Sequence, residues 1–220
     1  MGEPEPVYHV LCFTVNEMIY SVYYRNDQCI WEEVPITGII CFGIDWEDRR
    51  MRYHNITKDD MLNGDGLRVV LWVAGCDHCC KDCHNPVTWD PDGGLPFDDS
   101  VKQEIFSELD KDYISGITFS GGDPLHPANL MDVTALAKEI REKYPNKTIW
   151  LYTGSDWENI YDLPIVKYLD VLVDGEFEAD KKDVKLRWKG SSNQRVIDVQ
   201  DTISSKDPLT PVIHCPDYYE

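Results

Sequence analysis

Between residues 67 and 199 the apolar positions switch between two spacings. Leu67 to Val73 reads as an apolar run, the pattern of a strand covered on both faces. Val101, Ile105 and Leu109 recur four apart behind the acidic start Asp98-Asp99-Ser100, which predicts a helix. Ile117 to Phe119 predicts a strand, and Leu130, Val133, Leu136, Ala137 and Ile140 trace the buried face of a second helix. Thr148 to Tyr152 predicts a strand and Asp156 to Tyr168 a helical stretch weakened by Pro164. Val171 to Val173, ended by Asp174-Gly175, and Arg195 to Val199 complete the series. Strands alternating with helices predict an α/β fold of right-handed βαβ units with a mostly parallel sheet. Ligands of such sheets sit beyond the carboxyl ends of the strands.

Residues 1–50 differ: Val10 to Val15, Met18 to Tyr24 and Ile36 to Ile44 are strand-like, and no motif there carries chemistry. Met51 opens what reads as a natural beginning. Two expectations stand side by side for residues 1–50. One is an untranslated leader, with the codons of Trp46-Glu47-Asp48 forming a ribosome-binding site ahead of a start at Met51; the other is a genuine N-terminal extension. Residues 51–200 form the expected domain, and 201–220 an acidic, Pro-containing tail, loosely ordered from Ser204 onward.

Composition narrows the classes. Of 220 residues, 42% are hydrophobic and 28% charged, as in a soluble globular protein. No apolar run approaches the roughly 18 residues of a membrane helix. Met1 to Tyr8 carries Glu3 and Glu5 and no basic residue, unlike a secretory signal, so the expected compartment is the cytoplasm. A formal net charge of −19 repels phosphate backbones and anionic lipid, so neither nucleic acid nor membrane is an expected partner.

The chain has eight cysteines, and Cys76, Cys79, Cys80 and Cys83 crowd into a single loop after the first buried strand. Such crowding without an export signal points to metal or redox chemistry. Read as Cys76-x-x-Cys79 and Cys80-x-x-Cys83, the pairs are adjacent, whereas structural zinc sites separate theirs by a dozen or so residues. Read as Cys76-x3-Cys80-x2-Cys83, three thiolates hold three corners of a 4Fe–4S cluster and leave one iron open, with Cys79 a bystander. A second motif, Ser120-Gly121-Gly122-Asp123-Pro124, follows the next strand. Paired glycines there let a ligand approach bare backbone N–H and C=O groups, although such a stretch is also an ordinary turn.

The C-x3-C-x2-C loop resembles that of the radical S-adenosylmethionine enzymes. Residues 51–198 are more closely similar to the activating proteins of anaerobic (class III) ribonucleoside-triphosphate reductases. The stretches that carry this are Asn63-Gly-Asp-Gly66, Cys76 to Pro86, Ser120 to Pro127, Trp150 to Gly154, Val171 to Gly175 and Gly190-Ser-Ser-Asn-Gln-Arg195. The resemblance implies an open, partial parallel βα barrel, with Cys76, Cys80 and Cys83 as cluster ligands. S-adenosylmethionine would be held by Gly121 and Gly122 at its amino group, and by Asp82, Cys83 and His84 around adenine and cluster. Asp82 stands where Gly is usual, so its contact would come from the backbone, and Asp123 would suit a cationic amine. Reductive cleavage would give a 5′-deoxyadenosyl radical that takes hydrogen from a glycine of the reductase, as in the formate-C-acetyltransferase-activating enzymes. No catalytic side chain is required, so none is assigned.

The expected partners are the reductase's glycyl-radical subunit and an electron donor such as a flavodoxin-like protein. Loops at strand ends, Thr153 to Ser155, Asp174-Gly175 and Gly190 to Gln194, are candidates for docking the reductase. The alternatives are a radical enzyme acting on a small molecule, an activase of another glycyl-radical enzyme, an iron–sulfur carrier, and a zinc-stapled interaction module without catalysis.

Overall fold

The structure, a computed structural model, describes residues 50–214 in full and the strands within 8–34 as backbone. The chain divides into two units, residues 1–45 and 46–220. In the first, β1 (Tyr8–Val15), β2 (Met18–Arg25) and β3 (Gln28–Val34) form an antiparallel meander, with Phe13 opposite Tyr20 and Val22 opposite Trp31. Two of these strands match the expected patches; β3 was not foreseen, and the patch at Ile36 to Ile44 lies outside the described residues.

The second unit holds an eight-stranded sheet. Its strands are β4 (Arg52–Asp60), β5 (Arg68–Val73), β6 (Leu95–Pro96), β7 (Gly116–Gly121), β8 (Thr148–Tyr152), β9 (Val171–Asp174), β10 (Arg195–Asp198) and β11 (Val212–Ile213). The spatial order is β11-β10-β9-β8-β7-β5-β4-β6. The four central strands β5, β7, β8 and β9 are parallel, and the strands on either side are antiparallel. The fold is therefore α/β, but the sheet is mixed. Two of the antiparallel strands explain the difference. β4 reads Arg-Tyr-His-Asn-Ile-Thr-Lys-Asp-Asp and is mostly half-buried, so it lacks the apolar run that marked its neighbours. β11 lies in the segment expected to be loose, yet pairs Ile213 with Ile197.

The helices are α1 (Asp99–Leu109), α2 (Leu130–Lys143), α3 (Trp157–Ile160) and α4 (Val199–Ser204). Asp98 caps α1 by accepting from the backbone N–H groups of Ser100 and Val101. The stretch from Asp156 to Tyr168 yields a single short helix and a 3-10 turn at Val166–Tyr168, since Pro164 supplies no N–H and interrupts the repeat. Buried side chains from all four helices join Val69, Leu71, Val73, Ile117, Phe119, Ile149, Leu151 and Leu172 in one core. The helices thus cover one face of the sheet. On the other face Trp150, Val171, Val173 and Val196 pack against Trp188 from the loop after β9. Among the described residues no helix is long and apolar enough to cross a membrane.

Arg195 and Glu158 form a two-pronged ion pair at the rim of this sheet, with both N–H···O distances 2.8 Å. The Arg195 guanidinium holds the Glu158 carboxyl down to about 2, against an ordinary 4.5. A carboxyl lowered on folding stabilises the fold above its unfolded value, and that contribution fades as pH falls through the folded one. Urea unfolding is therefore expected to show wild type ahead of Glu158→Gln above about pH 4.5, with the gap closing as the pH falls toward 2.

Candidate functional site

The parallel strands β5, β7, β8 and β9 end on one side of the sheet, and four loops meet there. The first, after β5, is the cysteine loop. It closes on itself: Gly75 N–H donates to Thr88 O at 2.7 Å and Cys76 N–H to Trp89 O at 3.0 Å. Within it Cys76, Cys80 and Cys83 are half-buried free thiols, while Cys79 is exposed. Cys79 has φ +49° and Asp82 φ +57°, both in the left-handed region. Each turns the chain sharply, and the first turn accompanies an outward-facing Cys79. Asp82 adopts the conformation that favours glycine at no steric saving, so it is tolerated as a non-glycine exception. Asp82 and His84 are exposed.

Backbone N–H groups reach the thiols: His78 to Cys76, Phe177 to Cys80, and Asn85 to Cys83 at 3.4 Å. Burial pushes the Cys76 thiol up to about 11 and raises Cys80 as well. Without a metal these thiols stay protonated at neutral pH; a bound cation is what would make them thiolates.

The second loop, after β7, holds the paired glycines. Gly121 has φ +106°, and a Cβ there would lie 2.7 Å from the backbone N and O of Val73. At Gly122 a Cβ would lie 2.4 Å from Gly75 O. The N–H groups of Gly122 and Asp123 donate to Val73 O and Gly75 O, each at 2.8 Å. The pair therefore lets the cysteine loop's first residues lie against β7, and the Gly122 N–H is engaged by the chain itself.

Asp123 is 4% exposed. Its Oδ2 accepts from His78 Nε2 at 2.6 Å and Thr153 Oγ1 at 2.9 Å, and its Oδ1 from Leu125 N–H at 2.8 Å. In the folded chain Asp123 faces His78, from the cysteine loop. Glu176, after β9, approaches His78 Nδ1 at 3.3 Å. The Asp123 hydrogen bond, aided by Glu176 and opposed by burial, raises His78 to about 9. Fully buried Asn129 donates to both Ala74 O and Asp123 O, at 2.7 and 2.9 Å.

The loop after β9 is fastened by the Gly190 to Arg195 stretch. Gln194 accepts from the N–H groups of Gly190 and Ser191 and donates to Gly175 O at 2.9 Å. Asn193 donates to Glu176 O at 2.8 Å, and Arg195 grips buried Asp174. Residues considered for docking are thus engaged in holding Glu176 and Phe177 beside the cysteines. Asn63 to Gly66 lies at the opposite end of the sheet, where Asn63 O accepts from Thr118 Oγ1 and Asp65 O from Arg68.

Residues 62–197 match the family described as "4Fe-4S single cluster domain". The chain is 41% identical over 157 residues to the anaerobic ribonucleoside-triphosphate reductase-activating protein of Enterobacteria phage T4, covering 71% of this chain and all of that one. It is 44% identical over 150 residues to the protein of that name from Salmonella typhi and 43% over 150 to that of Escherichia coli K12; each match covers 66% of this chain and 97% of the relative. The chain belongs to the family of anaerobic ribonucleoside-triphosphate reductase-activating proteins.

Within this family member, the cysteine loop and the glycine pair were legible as motifs from their spacing. His78 and Glu176 were not singled out, and Thr153 was considered only for docking the reductase. Their signal was position: a titratable residue inside the cysteine loop, a hydroxyl just past β8, and an acid just past β9.

Proposed function

We propose that this chain activates an anaerobic ribonucleoside-triphosphate reductase by generating its glycyl radical, with Cys76, Cys80 and Cys83 holding a 4Fe–4S cluster. The observation that carries this reading is the set of three half-buried thiols on one closed loop at the carboxyl ends of the parallel strands, with Cys79 turned out. The residues fit such a group. Each thiol receives a backbone N–H, which favours its thiolate once a metal is bound.

A cluster held by Cys76, Cys80 and Cys83 would supply one-electron reduction of S-adenosylmethionine, the chemistry that would yield methionine and a hydrogen-abstracting radical for the reductase's glycine. The chain's residues contribute placement. Asp82, Cys83 and His84, with Gly121 and Gly122, are the residues we assign to S-adenosylmethionine. Because the N–H groups of Gly122 and Asp123 are engaged, we assign the glycine pair's contact to its carbonyl side. The all-helical cover on one face and the sequential order β5-β7-β8-β9 are the features that favour an open βα barrel. The chemistry would make the chain an oxidoreductase of the formate-C-acetyltransferase-activating type, working in the cytoplasm with a one-electron donor such as a flavodoxin-like protein.

The test is anaerobic reconstitution with iron and sulfide, reduction with S-adenosylmethionine present, and assay of 5′-deoxyadenosine, followed by electron paramagnetic resonance of the added reductase. Both product and glycyl radical are expected. A colourless, zinc-loaded, inactive protein would sink the reading in favour of an interaction module. Product without a radical on the reductase would point to another glycyl-radical partner.

A further inference from the structure

Three sequence stretches that are far apart in the chain converge on one imidazole. The His78 ring, 21% exposed, gives Nε2 to buried Asp123 at 2.6 Å and faces Glu176 with Nδ1 at 3.3 Å. Thr153 Oγ1 donates to the same Asp123 oxygen at 2.9 Å, which fixes that carboxylate from the β8 side. The next residue, Gly154, lies directly against the ring: a Cβ there would stand 2.5 Å from His78 Cδ2 and 2.7 Å from its Nε2. Gly154 does not have a left-handed φ, so what excludes a side chain there is the imidazole and not the backbone. The backbone N–H of His78 in turn reaches Cys76 Sγ, and Phe177, next to Glu176, reaches Cys80 Sγ.

We propose that His78 is a positioning residue, whose ring locks the cysteine loop onto the ends of β7, β8 and β9 through Asp123, Thr153-Gly154 and Glu176, so that Cys76 and Cys80 are in place before metal arrives. Outer partners that orient metal ligands contribute strongly to metal retention. This rests on the cluster reading for its purpose, but the geometry exists in the protein alone. It also explains why Thr153-Gly154 stands where it does, as a hydroxyl to hold the aspartate followed by a gap to admit the ring.

The test compares wild type with His78→Ala, His78→Gln, Gly154→Ala and the His78→Ala/Gly154→Ala double variant. In the metal-free protein, maleimide labelling of Cys76 and Cys80, read by mass spectrometry, is expected to quicken in His78→Ala and Gly154→Ala. After reconstitution, loss of iron to a chelator is expected to be roughly 10- to 100-fold faster in both, with an altered resonance signal from the reduced cluster. His78→Gln, which keeps an N–H donor for Asp123, is expected to regain slow iron loss. The double variant is expected to be no worse than His78→Ala alone, because the added methyl then enters vacated space. Multiplying effects in the double variant, or labelling and iron loss in His78→Ala equal to wild type, would overturn the proposal and leave the cluster reading intact. A wild type that takes up no cluster while His78→Ala still exposes the thiols would do the reverse.

Discussion

Alanine at Cys80 is expected to abolish both cluster uptake and 5′-deoxyadenosine formation, while alanine at Cys79 leaves both near wild type. The two residues are adjacent, so propensity and local sequence cannot separate them. The backbone does. Cys79 sits at φ +49° and is exposed, whereas Cys80 is half-buried and receives the Phe177 N–H. A thiol facing solvent on a left-handed residue has to reverse that turn to join its neighbours. Cys80 needs no such change, and alanine there leaves only two of the three thiols proposed as ligands. The measurement is iron and sulfide per chain after anaerobic reconstitution, with product assayed in parallel. Retention of the cluster by Cys80→Ala together with its loss in Cys79→Ala would overturn the assignment of ligands.

The second large effect lies at the other end of the sheet. Arg68→Met is expected to destabilise the fold by about 3–5 kcal/mol, leaving the cysteine loop's chemistry unchanged in the protein that stays folded. Arg68 is fully buried in a run otherwise apolar. Among the described residues it has no carboxylate as a hydrogen-bond partner: its N–H groups go to Thr118 Oγ1, Thr148 Oγ1, and the carbonyls of Asp65, Ile117 and Thr148, at 2.7 to 3.0 Å. Burial lowers its pKa to about 10, so it remains charged at neutral pH. Its guanidinium also lies 5.2 Å from the centre of the Trp150 ring. Methionine fills much of the space but donates nothing. Each buried acceptor left unmet costs about 1–3 kcal/mol, and at least two have no evident substitute. For a unit of this size that corresponds to a fall in Tm of roughly 10 °C. Urea unfolding with an unchanged slope would check it, and a loss under about 1 kcal/mol would show that neighbouring groups re-pair.

Much of the central architecture was legible from periodicity, because β5, β7, β8 and β9 are covered on both sides and α1 and α2 on one. Strands of that kind must be apolar throughout, and such helices must repeat every three to four residues. β4 escaped notice because a half-buried strand beside the sheet's edge needs no apolar run. The ordered β11 escaped because its two residues gain their place from Ile197 and Asp198 rather than from any local preference.

The candidate site divides in the same way. Spacing offered Cys76, Cys80 and Cys83 as one of two groupings of the loop's thiols, and the resemblance singled that grouping out. The resemblance of the cysteine loop and of Gly190 to Arg195 pointed to the family, which the relatives bear out. What belonged to the tertiary structure alone was the support. His78, Asp123, Thr153 and Glu176 are separated by up to 98 positions, from His78 to Glu176, and meet because four parallel strands end side by side. The same holds for the glycine pair. In sequence it reads as room for a ligand; the folded chain adds the close contact of Gly121 and Gly122 with Val73 and Gly75, which leaves no space for a Cβ. A chain can show which thiols are close enough to act together, because their spacing is local. It cannot announce what holds them, because hydrogen-bond partners across strand ends are chosen by distance in space, which no sequence interval records.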